Sequence, residues 1–180
     1  VVDAPALITE MIEKEGLKPT HLLLTHQHFD HTEDVEALQN IGVKVVTHSP
    51  YTESLIRQKE ARENWGIPVQ ISPFTPDVLL ANEDSLEIGD LTFKVSHVPG
   101  HSPDSITFYS KELGEDGVVF VGDTLMAGGM GRTDLPGGSF SQLVSGIKEQ
   151  LYTLPNETLV LSGHGPETTI GSEKEHNEFI

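Results

Sequence analysis

The chain contains no cysteine. Disulfides are therefore excluded, and any metal must be held by nitrogen and oxygen donors alone. Basic residues are scarce, with 11 Lys plus Arg against 28 Asp plus Glu and a net charge of −17. Such a surface repels phosphate backbones, which argues against nucleic acid as a partner. The same acidity also serves solubility and by itself demands no function. No apolar run approaches the roughly 20 residues of a membrane span, and no basic-then-apolar leader opens the chain. The expectation is a soluble, cytoplasmic protein without a membrane partner. A G-x-S-x-G nucleophile motif is absent as well, so a serine-type hydrolase is not indicated. Repeats, linkers and low-complexity blocks are also lacking, which makes residues 1–180 one expected domain.

Against these absences stands THQHFDH, residues 25–31, which places three of the chain's nine histidines and one aspartate in seven positions. Buried together, such side chains need partners. The surrounding pattern alternates helix and strand. Helical spacing covers 6–15, with Leu7, Ile8, Met11 and Ile12 on one face and Gly16 as the stop. Residues 21–25 read as a buried strand, 33–42 as a helix, 43–48 as a β-branched strand and 51–64 as a polar helix. Residues 85–88, 91–98 and 105–110 read as antiparallel strands, and 117–123 as a buried strand entering a Gly-rich loop at 128–138. An amphipathic helix over 139–154 and a last strand over 158–165 follow. The fold class expected is α/β, with apolar strands covered by helices.

Four strand-like runs end in ligand-type residues: LLLT before His26, FKVSHVPG before His101, VVFVG before Asp123 and LVLSG before His164. Side chains just past strand ends can converge on one sheet edge. A solvated loop would explain THQHFDH alone but not three further Gly-flanked positions. Together with His28, Asp30 and His31, the candidates are five histidines and two aspartates. That exceeds one tetrahedral zinc and suits two ions sharing a carboxylate, with a hydroxide available at neutral pH. His21, His48, His97 and His176 match no such pattern and read as structural, with His97 a candidate for orienting a ligand.

HQHFDH fits the HxHxDH signature of the metallo-β-lactamase superfamily. PGHSPDS (99–105), VGDT (121–124) and SGHG (162–165) match its later metal motifs in order, so the resemblance spans essentially the whole chain. It implies an αββα sandwich with a two-metal site at one edge. By motif, one ion takes His26, His28 and His101, the other takes Asp30, His31 and His164, and Asp123 bridges them. Asp30 and Asp123 then act catalytically through the hydroxide the metals hold. Zinc is the expected ion, with iron or manganese compatible with the same donors. The missing cysteine is at odds with the β-lactamase branches that use a cysteine ligand.

GRTDLPGGS (131–139) and GHGPETTIGSEKEHN (163–177) are similar to glyoxalase II-like hydrolases. That implies a small-molecule thioester substrate of the S-lactoylglutathione type, handled as in the short single-domain members. A mono-iron persulfide dioxygenase of the same superfamily and a non-catalytic metal-binding protein are the rival readings. Three departures from the pattern carry expectations of their own. VVDAP begins at the Asp-Pro-Gly-like turn, so two or three opening strands of the superfamily are expected to be missing. Thr32-Glu33-Asp34 replaces a usual glycine and reads as a helix N-terminus. Asp104 stands where many members have glycine, a position it suits if the backbone there is left-handed.

Overall fold

The computed structural model describes residues 1–81 and 85–180. The chain divides into two compact units, Val1–Leu80 and Ala81–Ile180, each with an apolar core of its own.

In the first unit, β1 (His21–Leu23), β2 (Lys44–Thr47) and β3 (Val78–Leu79) form a parallel sheet in that order. Parallel neighbours need crossovers. Helix α2 (Val35–Asn40) supplies the first, burying Val35 and Leu38. Helices α3 (Glu53–Ile56) and α4 (Gln58–Trp65) lie in the second. Leu22, Leu24, Val45, Leu38 and Phe74 build the core with Ile12 of α1 (Ile8–Lys14). Because β1 and β2 run in one direction, Thr25–His31 leaves the sheet at the edge where His48 follows β2.

Three details differ from the sequence expectation. Leu7 is left-handed (φ 70°) and lies outside α1, so Leu7 and Met11 are exposed while Ile8 and Ile12, one turn apart, face inward. The helix expected over 51–64 breaks at Arg57, whose φ of 59° cannot continue a right-handed helix. Thr32–Asp34 forms the N-terminus of α2 as expected, but the two acidic side chains bond elsewhere. Asp34 stands at its N-cap position but accepts instead from the Thr9 N–H (2.9 Å), and Glu33 accepts from the Ala6 N–H (3.2 Å), so both sit at the start of α1.

In the second unit, six strands pair in the order β11-β10-β7-β6-β5-β4. They are β4 (Ser85–Ile88), β5 (Leu91–His97), β6 (Ile106–Ser110), β7 (Val118–Gly122), β10 (Leu159–Ser162) and β11 (Thr168–Thr169). The β4-β5-β6 run is antiparallel as expected; β7 is also antiparallel to β6, whereas β10 lies parallel to β7. Both β5 and β7 are antiparallel to β6, so β5, β7 and β10 all point the same way. Their C-terminal ends therefore share one sheet edge, and His101, Asp123 and His164 follow those ends.

The segment read as a loop begins with a strand, β9 (Gly129–Met130), which pairs in a small hairpin with β8 (Leu125–Met126) just before it. Helix α5 (Phe140–Gly146) is capped by the Ser139 hydroxyl, and its last turn, Ile147–Leu151, widens into a π-helix. Leu143, Ile147 and Leu151 remain buried together, as their spacing predicts. The final helix α6 (Ile170–His176) is capped by the Thr169 hydroxyl.

Candidate metal centre

Each unit gathers its own cluster. In the first, His26 and His28 offer nitrogens within 4.8 Å of each other, and the ring of His31 lies 4.1 Å from that of His26. A short 3₁₀ turn, Phe29–His31, produces this folding-back. All three histidines are buried, and the half-buried Asp30 places its carboxylate 3.9 Å from His31 Nε2.

Asp3, which the sequence reading assigned no role, organises the cluster. Its carboxylate accepts from the Thr25 N–H (2.8 Å) and the Thr25 hydroxyl (2.8 Å), and it contacts His31 Nδ1 at 2.9 Å. Asp3 is itself held by its N–H to the Leu23 carbonyl, with φ at 57°. The Thr25 hydroxyl contacts His26 Nδ1 at 3.1 Å. Since that hydroxyl gives its hydrogen to Asp3, its oxygen accepts from Nδ1–H of His26. His31 likewise donates from Nδ1. In both rings Nε2 is then the nitrogen that carries the ligating lone pair.

In the second unit, Asp123 Oδ2 lies 3.5 Å from His101 Nε2 and 3.6 Å from His164 Nε2. The pairing of Ser162 with Gly122, at an irregularity in the β7-β10 ladder, puts Asp123 and His164 side by side. His101 is buried, and its Nδ1 donates to the Arg132 carbonyl (2.9 Å), again leaving Nε2 to ligate. His164, by contrast, has a side chain 54% exposed, so this cluster opens toward solvent on the His164 side.

Two glycines make the close approaches possible. Gly131 lies so near that a Cβ would stand 1.9 Å from the Asp123 carbonyl oxygen and 2.8 Å from His101 Nδ1. At Gly100 (φ 134°) a Cβ would collide with the backbone at the start of α5. The turn between them differs from expectation at Asp104. Its backbone is not left-handed; the residue is buried and accepts from the Ser102 hydroxyl.

The donor set suits a divalent cation. It is all imidazole and carboxylate, largely buried, with outer acceptors that select the ligating tautomer of three histidines. The histidines read as structural make backbone or local contacts. His97 Nε2 bonds the Pro103 carbonyl (2.8 Å), bracing the loop that carries His101. His48 Nδ1 bonds the Leu80 carbonyl (2.8 Å), and His176 is exposed in α6. His48→Ala and His176→Ala are expected to leave metal content unchanged. His48 is the sharper control because it follows β2 at the sheet edge from which His26 leaves β1. Elemental analysis showing the loss of one metal equivalent in either variant would mean that the ligand set is misassigned.

Clusters of braced histidines and aspartates at parallel strand ends define a metal-binding α/β protein. The family model for the metallo-β-lactamase superfamily matches residues 4–164, and the chain belongs to that superfamily. Among its relatives, hydroxyacylglutathione hydrolase GloC of Haemophilus influenzae is 36% identical over 176 residues, covering 96% of this chain and 81% of the relative. Among solved structures, BLEG-1 B3 metallo-β-lactamase superposes with a TM-score of 0.86 at 38% identity, covering 99% of this chain and 86% of that one. TTHA1623 in a di-iron-bound form superposes with a TM-score of 0.82 at 34% identity, covering 99% and 88%. The mixed α/β fold and the hydrolase class expected from the sequence agree with these matches.

Proposed function

We propose that residues 1–180 act as one binuclear metallohydrolase domain that cleaves thioesters of the S-lactoylglutathione type. In this reading His26, His28 and His101 hold one ion, Asp30, His31 and His164 hold the second, and Asp123 bridges them. The observation that carries it is the bracing of His26, His31 and His101 through Nδ1, which leaves Nε2 of each to ligate. Likeness to a hydroxyacylglutathione hydrolase supports the substrate class, and likeness to a di-iron protein supports two ions without deciding between zinc, iron and manganese.

When bound, the ions supply Lewis acidity and a water acidic enough to ionise near neutral pH. The chain's residues do the rest. The exposed side of His164 admits the thioester carbonyl. Asp30, half-buried beside His31, accepts the proton of the attacking water and returns it to the departing sulfur. The C–O bond forms and the C–S bond breaks, giving a thiol and a carboxylic acid whose remaining proton is lost to solvent, leaving the carboxylate. Asp3 keeps His31 oriented throughout.

Arg132 is a brace in this account. Its Nε and Nη2 each lie 2.7 Å from the two carboxylate oxygens of Asp134, a bidentate fork. That pairing holds the Asp134 carboxyl at about 2, well below the usual carboxylate range. Arg132→Met is expected to lower thermal stability or metal content, with similar relative losses on charged and uncharged thioesters. A selective fall in kcat/KM for carboxylate-bearing thioesters, with stability and metal intact, would make Arg132 a recognition residue.

The reading is tested by supplying S-lactoylglutathione to metal-loaded and chelator-stripped protein and measuring free thiol. Metal-dependent thiol release is expected. Oxygen consumption with a persulfide, and no thiol release from the thioester, would support the mono-iron dioxygenase instead.

A further inference from the structure

The C-terminal motif GSEKEHN takes no part in the proposed centre, yet its residues converge on one place. Glu173 is buried in α6, and its carboxylate accepts from the Gly128 N–H (3.0 Å), the Thr168 hydroxyl (2.7 Å) and the Asn177 side-chain amide (2.8 Å). The same Asn177 amide donates to the Gly129 carbonyl (2.9 Å), and Asn177 Oδ1 accepts from the Phe179 N–H (3.1 Å). A buried carboxylate with several donors is a rigid anchor. Here it fixes the β8-β9 hairpin on one side and Phe179 on the other.

Between these two parts lies a cavity of about 310 Å³ lined by Gly129, Met130, Gly131, Arg132, Thr133 and Phe179. Its Gly131 wall is the one packed against the His101 ring and the Asp123 backbone. The one cation in the lining, Arg132, is forked onto Asp134, so the wall offers little net charge. Met130 and Phe179 offer a thioether and an exposed aromatic ring, both suited to apolar contact. The volume stands at the small end of ligand pockets.

We propose that this cavity is the substrate subsite for an uncharged, apolar chain flanking the thioester. The proposal rests on the thioesterase reading for the nature of the reacting group, but the pocket itself is defined by the second unit alone. Its occupant is an alkyl or aryl group of a few carbons, borne on either the acyl or the thiol side.

Binding is measured without turnover. Protein labelled at its methionine methyls carries three probes, Met11, Met126 and Met130, and is titrated with S-hexylglutathione, a thioether with no scissile carbonyl. The Met130 methyl is expected to shift saturably while Met11, in the first unit, does not. Glutathione without the hexyl group is expected to leave Met130 unmoved. Gly129→Leu fills the pocket. A Cβ there meets nothing within 4 Å and the residue's φ is not positive, so the variant is expected to fold and to lose the Met130 shift. An unmoved Met130, an equal shift at Met11, or an equal shift with glutathione alone would overturn the proposal.

Kinetics with glutathione thioesters of acetyl and hexanoyl groups, and with lactoyl thioesters of small and alkyl thiols, then locate the chain. Phe179→Ala is expected to lower kcat/KM about tenfold for the long-chain member of one series and to leave its short-chain member unchanged. Equal effects on short and long chains in both series would also overturn the subsite. If no thioester turns over but Met130 still shifts, the thioesterase reading fails and the pocket stands.

Discussion

Asp123→Ala is expected to abolish hydrolysis and to lower metal content below one ion per chain. Asp123 is buried at the end of β7, with Oδ2 within 3.6 Å of the nitrogens of His101 and His164. In the proposed centre it is the one side chain shared by both ions, so its removal takes negative charge and a donor from each. The loss should exceed the about 100-fold that deleting an outer hydrogen-bond partner costs a metal site. The backbone provides a control. The Asp123 C=O lies against Gly131 and is kept by the alanine, so the variant should retain the fold by circular dichroism. Two metals per chain with near-normal turnover would remove the bridging assignment.

Asp3→Ala should have the next largest effect, although Asp3 is no ligand in the account. The substitution leaves the Thr25 N–H, the Thr25 hydroxyl and the His31 Nδ1–H without their shared acceptor. Buried donors stranded in this way cost about 1–3 kcal/mol each, so a fall in Tm is expected. Metal affinity should fall about 10- to 100-fold, because both His31 and, through Thr25, His26 lose the contact that selects their tautomer. Asp3→Asn separates the two effects. It keeps the volume and one acceptor oxygen, so most stability should return. An amide cannot carry the carboxylate's charge toward His31, so metal affinity should recover only in part. Full recovery of affinity in Asp3→Asn, measured by competition with a chelator, would reduce Asp3 to a packing role.

Much of this was readable from the chain because of where the ligand-type residues stand. His26, His101, Asp123 and His164 each follow an apolar run and sit near glycine, which is what a strand end entering a tight turn looks like. The strand directions that bring three of them to one edge follow from the antiparallel β5-β6-β7 run together with parallel β10. Asp3 was not legible because its partners lie 22 and 28 positions away. The one available signal was an acidic residue at the turn that opens the motif series. The Arg132 contact to His101 is made by a backbone carbonyl and has no side-chain signature. The requirement for glycine at 131 arises from packing against residues 8 and 30 positions earlier, which local propensity does not register. Helical spacing failed at α1 for a local reason. Leu7 takes a left-handed conformation, so the helix begins at Ile8, two residues later than expected, and its inward face turns away from Leu7 and Met11.

The central claim is that the four ligands of the first unit and the three of the second serve one two-metal hydrolytic centre. Titrating chelator-stripped protein with Zn²⁺ while following thiol release from S-lactoylglutathione tests it most directly. The account predicts a rate that climbs with added metal and reaches its plateau at two equivalents per chain. A plateau at one equivalent, or thiol release that does not depend on metal at all, would contradict it.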